Sequence, residues 1–518
     1  MRVDRRGFLS RASSGLAAAL AAGVPRATSP ATLTTSKRDL VIAQAYDVTS
    51  LDPHASTLSS DWRVAHNVFD TLIRRHPDGT LHPALARAWK RTAPTTWRLA
   101  LRSDVRWHDG TRFSAVDAKY SLDRTYDATV KGARLLGAWW TQAIERTEAP
   151  DPETLIVHTR WPDPLMPARL ASCAGAMVPW AYMDRVGFKT FTERPIGSGP
   201  LRFASRSRGD QCVLDANRDY WDGRVDVDRV VIKAVPDHGR RADLLLRGGA
   251  DLIVPLAPEH GPRVASDPST QVTGVLYAGL YVLAVNVWVA PLNDPLIRQA
   301  LSLAIDRETI VKELWRGRGV VPSGPIPRGD DLHDPSLPPL PYDPGAARER
   351  LRRAGYRGET IQLETTAGMI ANDRLMAEAI TEMWEDVGVK VALDVIDIDT
   401  RHRKNRQQAF KGLWWSDPTS IIRDPDGMMG RLLSPGQPHD YWRHDEFDRL
   451  AAAARSTADE RARAHAYRKM TAIFLEQNPW IAVLQPVEDY GLRRYVDFTP
   501  NQDQQLELRR FNFRMRRA

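Results

Sequence analysis

Two short stretches gather side chains that could do chemistry: Trp414-Trp415-Ser416-Asp417, and then Arg423-Asp424-Pro425-Asp426-Gly427. An aspartate placed here could accept an ammonium group. Buried together, the two charges satisfy each other, whereas removing one leaves the other unpaired at a cost of about 3–5 kcal/mol. Arg423 could instead hold a carboxylate with its planar fork. A second chemistry is hydrolysis, with Asp417, Asp424 and Asp426 as paired carboxylates beside aromatic subsites. Carboxylates in a Pro/Gly turn are normally local caps, and Asp417 and Arg423 could also pair with each other, so structural roles stay open beside the functional ones. Tryptophan outnumbers tyrosine and phenylalanine, 16 against 13 and 12. Flat aromatic faces with a polar edge suit the clamping of peptides or sugars. Trp139, Trp140 and Trp288 therefore join Trp414 and Trp415 as candidates, with core packing as the plainer alternative.

Other chemistries find little support. The 13 histidines show no HExxH or Cys/His spacing, so no metal site is expected, and His439 and His444 read as surface residues. Gly197-Ser198-Gly199 lacks the context of a nucleophile elbow or a phosphate loop and reads as a bend. No cofactor and no catalytic residue are expected. Two cysteines, Cys173 and Cys212, are too few for a disulfide scaffold, although they could pair in an oxidising compartment. The start, Arg5-Arg6-Gly7-Phe8-Leu9 followed by an Ala/Gly-rich run, looks like a twin-arginine export signal ending near residue 27, with a linker over 28–36. That predicts an extracytoplasmic protein. Five arginines and one aspartate leave with the signal, so the net charge of +8 falls to +4. So mild a charge argues against nucleic acid, and the Arg401 to Arg406 run reads as a solvated face.

The elements that must position these residues fall into two halves. Up to about residue 270 the pattern is strand and turn: Leu40 to Ala45, then Trp97, Leu99 and Leu101 on one face, a capping box of Ser114 with Asp117, and strands at Thr154 to His158, Cys212 to Leu214 and Val230 to Ile232. From Tyr281 to Val287, a strand apolar enough for burial on both faces, strands and helices alternate. Helices start at Asp294-Pro295, Asp306, Asp343-Pro344 and Asp373; strands lie at Thr360 to Glu364, Val389 to Val395 and Leu413 to Trp415; a helix spans Ala458 to Gln477, and an apolar strand follows at Trp480 to Leu484. This rhythm predicts a mostly parallel, right-handed α/β domain. In open sheets of this kind ligands sit beyond the carboxyl ends of strands, where Asp417 would be.

Several blocks resemble the dipeptide-, oligopeptide- and nickel-binding family of extracellular solute-binding proteins that feed ABC importers. They are Ser50-Leu51-Asp52-Pro53-His54; Phe69-Asp70-Thr71-Leu72 with Leu81 to Ala86; Val105 to Gly110 with Phe113 to Asp117; Pro195 to Pro200; Asn217-Arg218-Asp219-Tyr220-Trp221; and Arg298 to Arg307. The resemblance implies a two-lobed α/β fold of the periplasmic-binding-protein type (type II, cluster C) with a small α+β domain inserted in lobe one. Lobe one would comprise 37–55, 193–270 and 481–518, the insert 56–192, and lobe two 271–480. It further implies a monomeric receptor that closes on a small solute and delivers it to an ABC permease with its ATPase. A short peptide or modified amino acid is the expected cargo, with opine-like, sugar or metal-chelate ligands as alternatives. In peptide-binding relatives an Asp after the Trp-rich strand takes the ligand's α-ammonium, which points to Asp417. This sequence departs from the usual Asp-Tyr-x-Asp-Pro pattern, and its Arg423 resembles branches with a cationic anchor. Tyr46, Ser59 to Asp61 and Asn286 fall where relatives approach ligand.

Overall fold

The computed structural model describes residues 38–516 apart from 57, 128, 131–140, 368–369 and 436–439. The expected signal and linker, Trp139, Trp140 and His439 lie outside the described residues. Val41 and Ile42 favour extended backbone and open the first strand, β1 (Asp39–Gln44). The large sheet continues with β2 (Leu201–Ser207), β3 (Gln211–Ala216), β4 (Arg229–Ala234), β5 (Leu252–Val254) and β6 (Thr270–Leu276). The second half adds β7 (Tyr281–Val285), β8 (Gly319–Val320), β9 (Ile361–Thr365), β10 (Val391–Val395), β11 (Leu413–Ser416) and β12 (Trp480–Arg493). Strand order is β10-β9-β11-β7-β12-β5-β1-β4-β3-β2, with β6 and β8 also on β12.

Helix starts follow their capping residues. The side chains of Asp294, Asp306 and Asp343 accept from the N–H groups of Leu296, Thr309 and Ala346. The Ser114 N–H donates to the Asp117 carboxylate at 3.0 Å, closing the expected box. Strand direction is less simple than the rhythm suggests. β9 is parallel to β10 and β11, but β7 runs antiparallel to both β11 and β12. The second half is therefore mixed rather than mostly parallel, because β7 pairs with strands far along the chain that no local pattern reports.

Three large buried cores carry the elements around the site. Leu40, Ile42, Leu214, Val230 and Leu252 form the first. The second gathers β7, β9, β11 and their helices, with all five β7 residues buried. The third, from Leu72 to Met177, lies under a four-stranded antiparallel sheet (Ala86–Ala93, Thr96–Leu101, Thr154–Thr159, Ile144–Asp151) and the helix Ala115–Tyr126. This is the small α+β insert. Its core is narrower than 56–192, since Val64 to Phe69 and Val178, Met183 and Phe191 pack into the first core. β12 serves two cores: Trp480 to Leu484 pack in the second, Tyr490 and Leu492 in the first. The changeover thus falls near Gln485, later than the expected break at 480.

One buried acid explains why several of the family-like blocks occur together. Asp70 accepts from Tyr220 Oη (2.8 Å), Trp221 Nε1 (2.9 Å), Ser198 Oγ (3.0 Å) and Arg509 Nη2 (3.3 Å), so the 69–72, 195–200 and 217–221 blocks meet at a single carboxylate. The two cysteines do not pair. Cys173 packs with Trp62 and Ile421 while Cys212 sits in the first core, and burial pushes both thiols up to about 12.

Candidate functional site

Asp417 leaves the large sheet at the carboxyl end of β11, and the backbone around it is tightly folded. Tyr277 Oη donates to the Asp417 carbonyl at 3.3 Å, Leu280 N–H to Pro418 O, and Ser420 N–H to Ala278 O. Gly279 is required at this crossing, because a Cβ there would lie 2.5 Å from the Pro418 carbonyl and 2.6 Å from the Tyr277 ring. The Asp417 side chain stays half-buried. Among the described residues, no cation reaches ion-pair distance of its carboxylate. Burial pushes its pKa up, and the longer-range fields of Arg401 and Arg431 oppose that shift.

Groups from distant parts of the chain act on Asp417 and are acted on by it. Tyr46 follows β1; burial raises its hydroxyl pKa, and the charges of Asp373 and Asp417 raise it further. Glu488, on the later part of β12, is pushed up by burial and by Asp489 and Asp417, while Arg63 at 3.6 Å and the Tyr490 hydroxyl hold it down. Arg401, from the helix α1 (Ile398–Gln407), donates to the Trp415 carbonyl at 3.2 Å. Burial lowers its pKa against the opposing pull of Asp417, Tyr46 and Asp373. Two desolvated acids, Asp417 and Glu488, and a desolvated guanidinium, Arg401, thus act on one another at the end of β11. A ligand ammonium and a ligand carboxylate would complement this set.

The structure brings only some of the expected residues to this place. Trp415 is buried beside Arg401, with its indole N–H lacking a hydrogen-bond partner. Trp414 stacks on Phe410 at 4.3 Å and meets Tyr441 edge-on at 4.8 Å, which makes it part of the second core. Ser59 opens the helix Ser59–Val68. Asp61, on the same helix, accepts from Thr49 N–H and Oγ1, both at 2.6 Å, and so fastens the loop after β1. Arg423 has a left-handed φ of 53° and donates to Gln502 Oε1 at 2.7 Å and to the Gly329 carbonyl. The Asp424 carboxylate binds Arg463 and the Asp426 N–H, and Asp426 binds Arg169 and Arg455. Both of those acids are engaged by arginines, rather than set as the free pair a hydrolase needs.

Asn286 and Trp288 lie elsewhere. β7 is antiparallel to β11, so Val285 faces Leu413 and Val282 faces Ser416. Asn286 therefore sits opposite Gly412, just before β11, about 16 Å of strand away from Asp417. Its side chain is used locally, donating to the Phe410 carbonyl and accepting from the Trp288 N–H. Arg401, Glu488, Arg63 and Tyr277 did not stand out in the sequence. Arg401 was concealed in a run of basic residues that reads as a solvated face, and only the helix orientation turns it onto β11. Glu488 carries no motif; the one signal is the acidic pair Glu488-Asp489 after a largely apolar stretch of strand.

Two lobes joined through a shared strand, with desolvated charges gathered at the end of β11, fit a solute-binding protein of the periplasmic type. The chain belongs to the bacterial extracellular solute-binding proteins, family 5, whose middle-region model matches residues 80–440. It is 26% identical over 457 residues to the glutathione-binding protein GsiB of Pectobacterium atrosepticum, covering 86% of this chain and 88% of that one. It is also 27% identical over 454 residues to heme-binding protein A of Haemophilus influenzae, covering 82% of each. Among solved structures, the periplasmic binding protein DppA of Helicobacter pylori in complex with the peptide STSA superposes with a TM-score of 0.85 at 22% identity. It covers 92% of this chain and 99% of that one.

Proposed function

We propose that this protein is the receptor of an ABC importer and closes on a short peptide or a related amine-bearing solute, with Asp417 as the ammonium anchor and Arg401 on the ligand's carboxylate side. The observation that carries this reading is the Asp417 carboxylate: at a strand's carboxyl end, desolvated, and without a cation at ion-pair distance among the described residues. A half-buried, desolvated acid left in that state favours whichever solute brings the missing charge. The relatives' names support a peptide-like cargo, since glutathione and STSA each carry a free ammonium and at least one free carboxylate. Ligand shifts the open–closed equilibrium by the contacts both lobes make with it only when shut.

In the same reading, the first lobe comprises β1 to β6 with the later part of β12, the insert is the third core, and the second lobe runs from β7 through the early part of β12. The protein works in the periplasm, as its family does, exported as a monomer by the twin-arginine route and docking on a permease–ATPase complex. The test is mass spectrometry of small molecules released on denaturing freshly purified protein, followed by calorimetry with those compounds and with Met-Leu and glutathione. Stoichiometric binding without product is expected; turnover of any of them overturns the receptor reading.

A further inference from the structure

Nine residues beyond Asp417 the same segment makes a different kind of contact. Asp426 is fully buried and is held by Arg169 at 2.6 Å and by Arg455 at 2.8 Å, while Arg169 is also held by Asp163 at 2.8 Å. Burial raises the Asp426 carboxyl, but the two arginines outweigh it and keep the pKa below the usual carboxylate range. Asp163 and Arg169 flank Met166 and Leu170 of the insert core, whereas Asp426 and Arg455 adjoin Met428, Met429, Ala451 and Ala454 of the second core. The ion contact therefore crosses from insert to second lobe. Around it, Ile421 and Ile422 pack on Trp62, Cys173 and Ala174, and Arg75 donates to the Ile422 carbonyl at 3.1 Å. Residues 421–426 are thus where the second lobe grips the rest of the molecule away from β12.

The way the charges divide is informative. Cut along the interface, the four groups separate into Asp163–Arg169 on one side and Asp426–Arg455 on the other, each neutral and each already hydrogen-bonded. Breaking a buried pair is costly mainly because it strands an uncompensated charge. Here neither side is stranded. We propose that the Arg169–Asp426 contact is a separable clasp, made when the lobes shut and broken when they part, which slows solute release without touching the solute. Arg169 and Asp426 are then positioning residues for closure; the inference rests on the receptor reading for what is released, but not for the clasp itself.

The full-length protein without added solute tests the clasp directly. Small-angle scattering and amide exchange should show D426N more open than wild type, with a larger radius of gyration and faster exchange at 421–426. D163N should show the reverse or no change, because Arg169 without Asp163 depends more on Asp426. With Met-Leu or glutathione as probe, D426N should raise the dissociation rate at least tenfold with the association rate within twofold, while D163N should not raise it. One radius and one exchange profile for all three proteins would overturn the clasp. So would loss of folding in both D426N and R169Q, which would mark the contact as permanent cement. Failure of both probes to bind wild type counts against the peptide-receptor reading and leaves the scattering and exchange result to decide the clasp.

Discussion

Asp417 and Asp426 are both aspartates on one segment of the second lobe, yet among the described residues one has no cation at ion-pair distance and the other has two. Around Asp426 every acid meets an arginine at ion-pair distance. Around Asp417 the arginines act only at longer range, and a second acid, Glu488, stands nearby. Complete pairing marks charges whose partners are supplied by the fold, and in the proposed reading incomplete pairing at a strand's carboxyl end marks a charge kept for something that arrives from solution. Asp330 is a third case. It is buried beside Asp424 with the Ser420 hydroxyl as a partner and, among the described residues, no arginine at ion-pair distance, and its carboxyl is pushed up to about 7 by burial first and by Asp424 next. That acid avoids its missing cation by keeping its proton.

The comparison can be broken at four places. Asp70, the most heavily partnered acid, should be the most costly to lose: Asp70→Ala removes the acceptor shared by Tyr220, Trp221 and Ser198 and leaves buried Arg509 with Glu507 at 3.9 Å as its remaining acid and Arg74 with Asp222, and is expected to lower the unfolding free energy by about 3–5 kcal/mol in urea titrations. Asp417→Ala should behave in the opposite way, with stability kept or slightly raised and affinity for an amine-bearing peptide down at least tenfold, about 1.4 kcal/mol by calorimetry. Unchanged affinity would remove Asp417 as the anchor. For Asp330 the sign follows from its proton. The folded carboxyl holds it up to about pH 7, whereas the unfolded one releases it near pH 4. Its contribution is complete below about pH 4 and is lost as pH rises through about 7. Wild type should therefore lose melting temperature relative to Asp330→Asn between pH 5 and pH 8, and parallel profiles would refute the assignment. The smallest effect belongs to Trp288→Ala: at the far end of β11 and 58% exposed, it should leave peptide affinity within twofold.

What the sequence made legible was local. Asp294, Asp306 and Asp343 announced helix starts because a cap is decided within three residues, and the apolar run Tyr281 to Val285 announced a strand buried on both faces. The helix α2 (Asp445–Ser456) escaped notice although His444 caps it and three acids fill its first turn, a pattern that suits the positive end of a helix dipole. The end of β11 at which Asn286 falls depends on strand direction, fixed by pairing across more than a hundred residues. The inward turn of Arg401 depends on how α1 lies against the sheet. Asp417 could be picked out from sequence because it follows a short apolar strand directly, whereas Glu488 and Tyr46 become its neighbours only once the lobes meet.

β12 has a consequence for any attempt to take the molecule apart. Its first residues cover β7 and its last cover β5 and β6, so neither half owns a finished sheet. A second lobe produced alone without that strand would present the bare backbone edge of Tyr281–Val285, uniformly apolar, to other copies of itself, the kind of surface that seeds aggregation. Complementation by a separately supplied Trp480–Arg493 peptide would be the natural remedy.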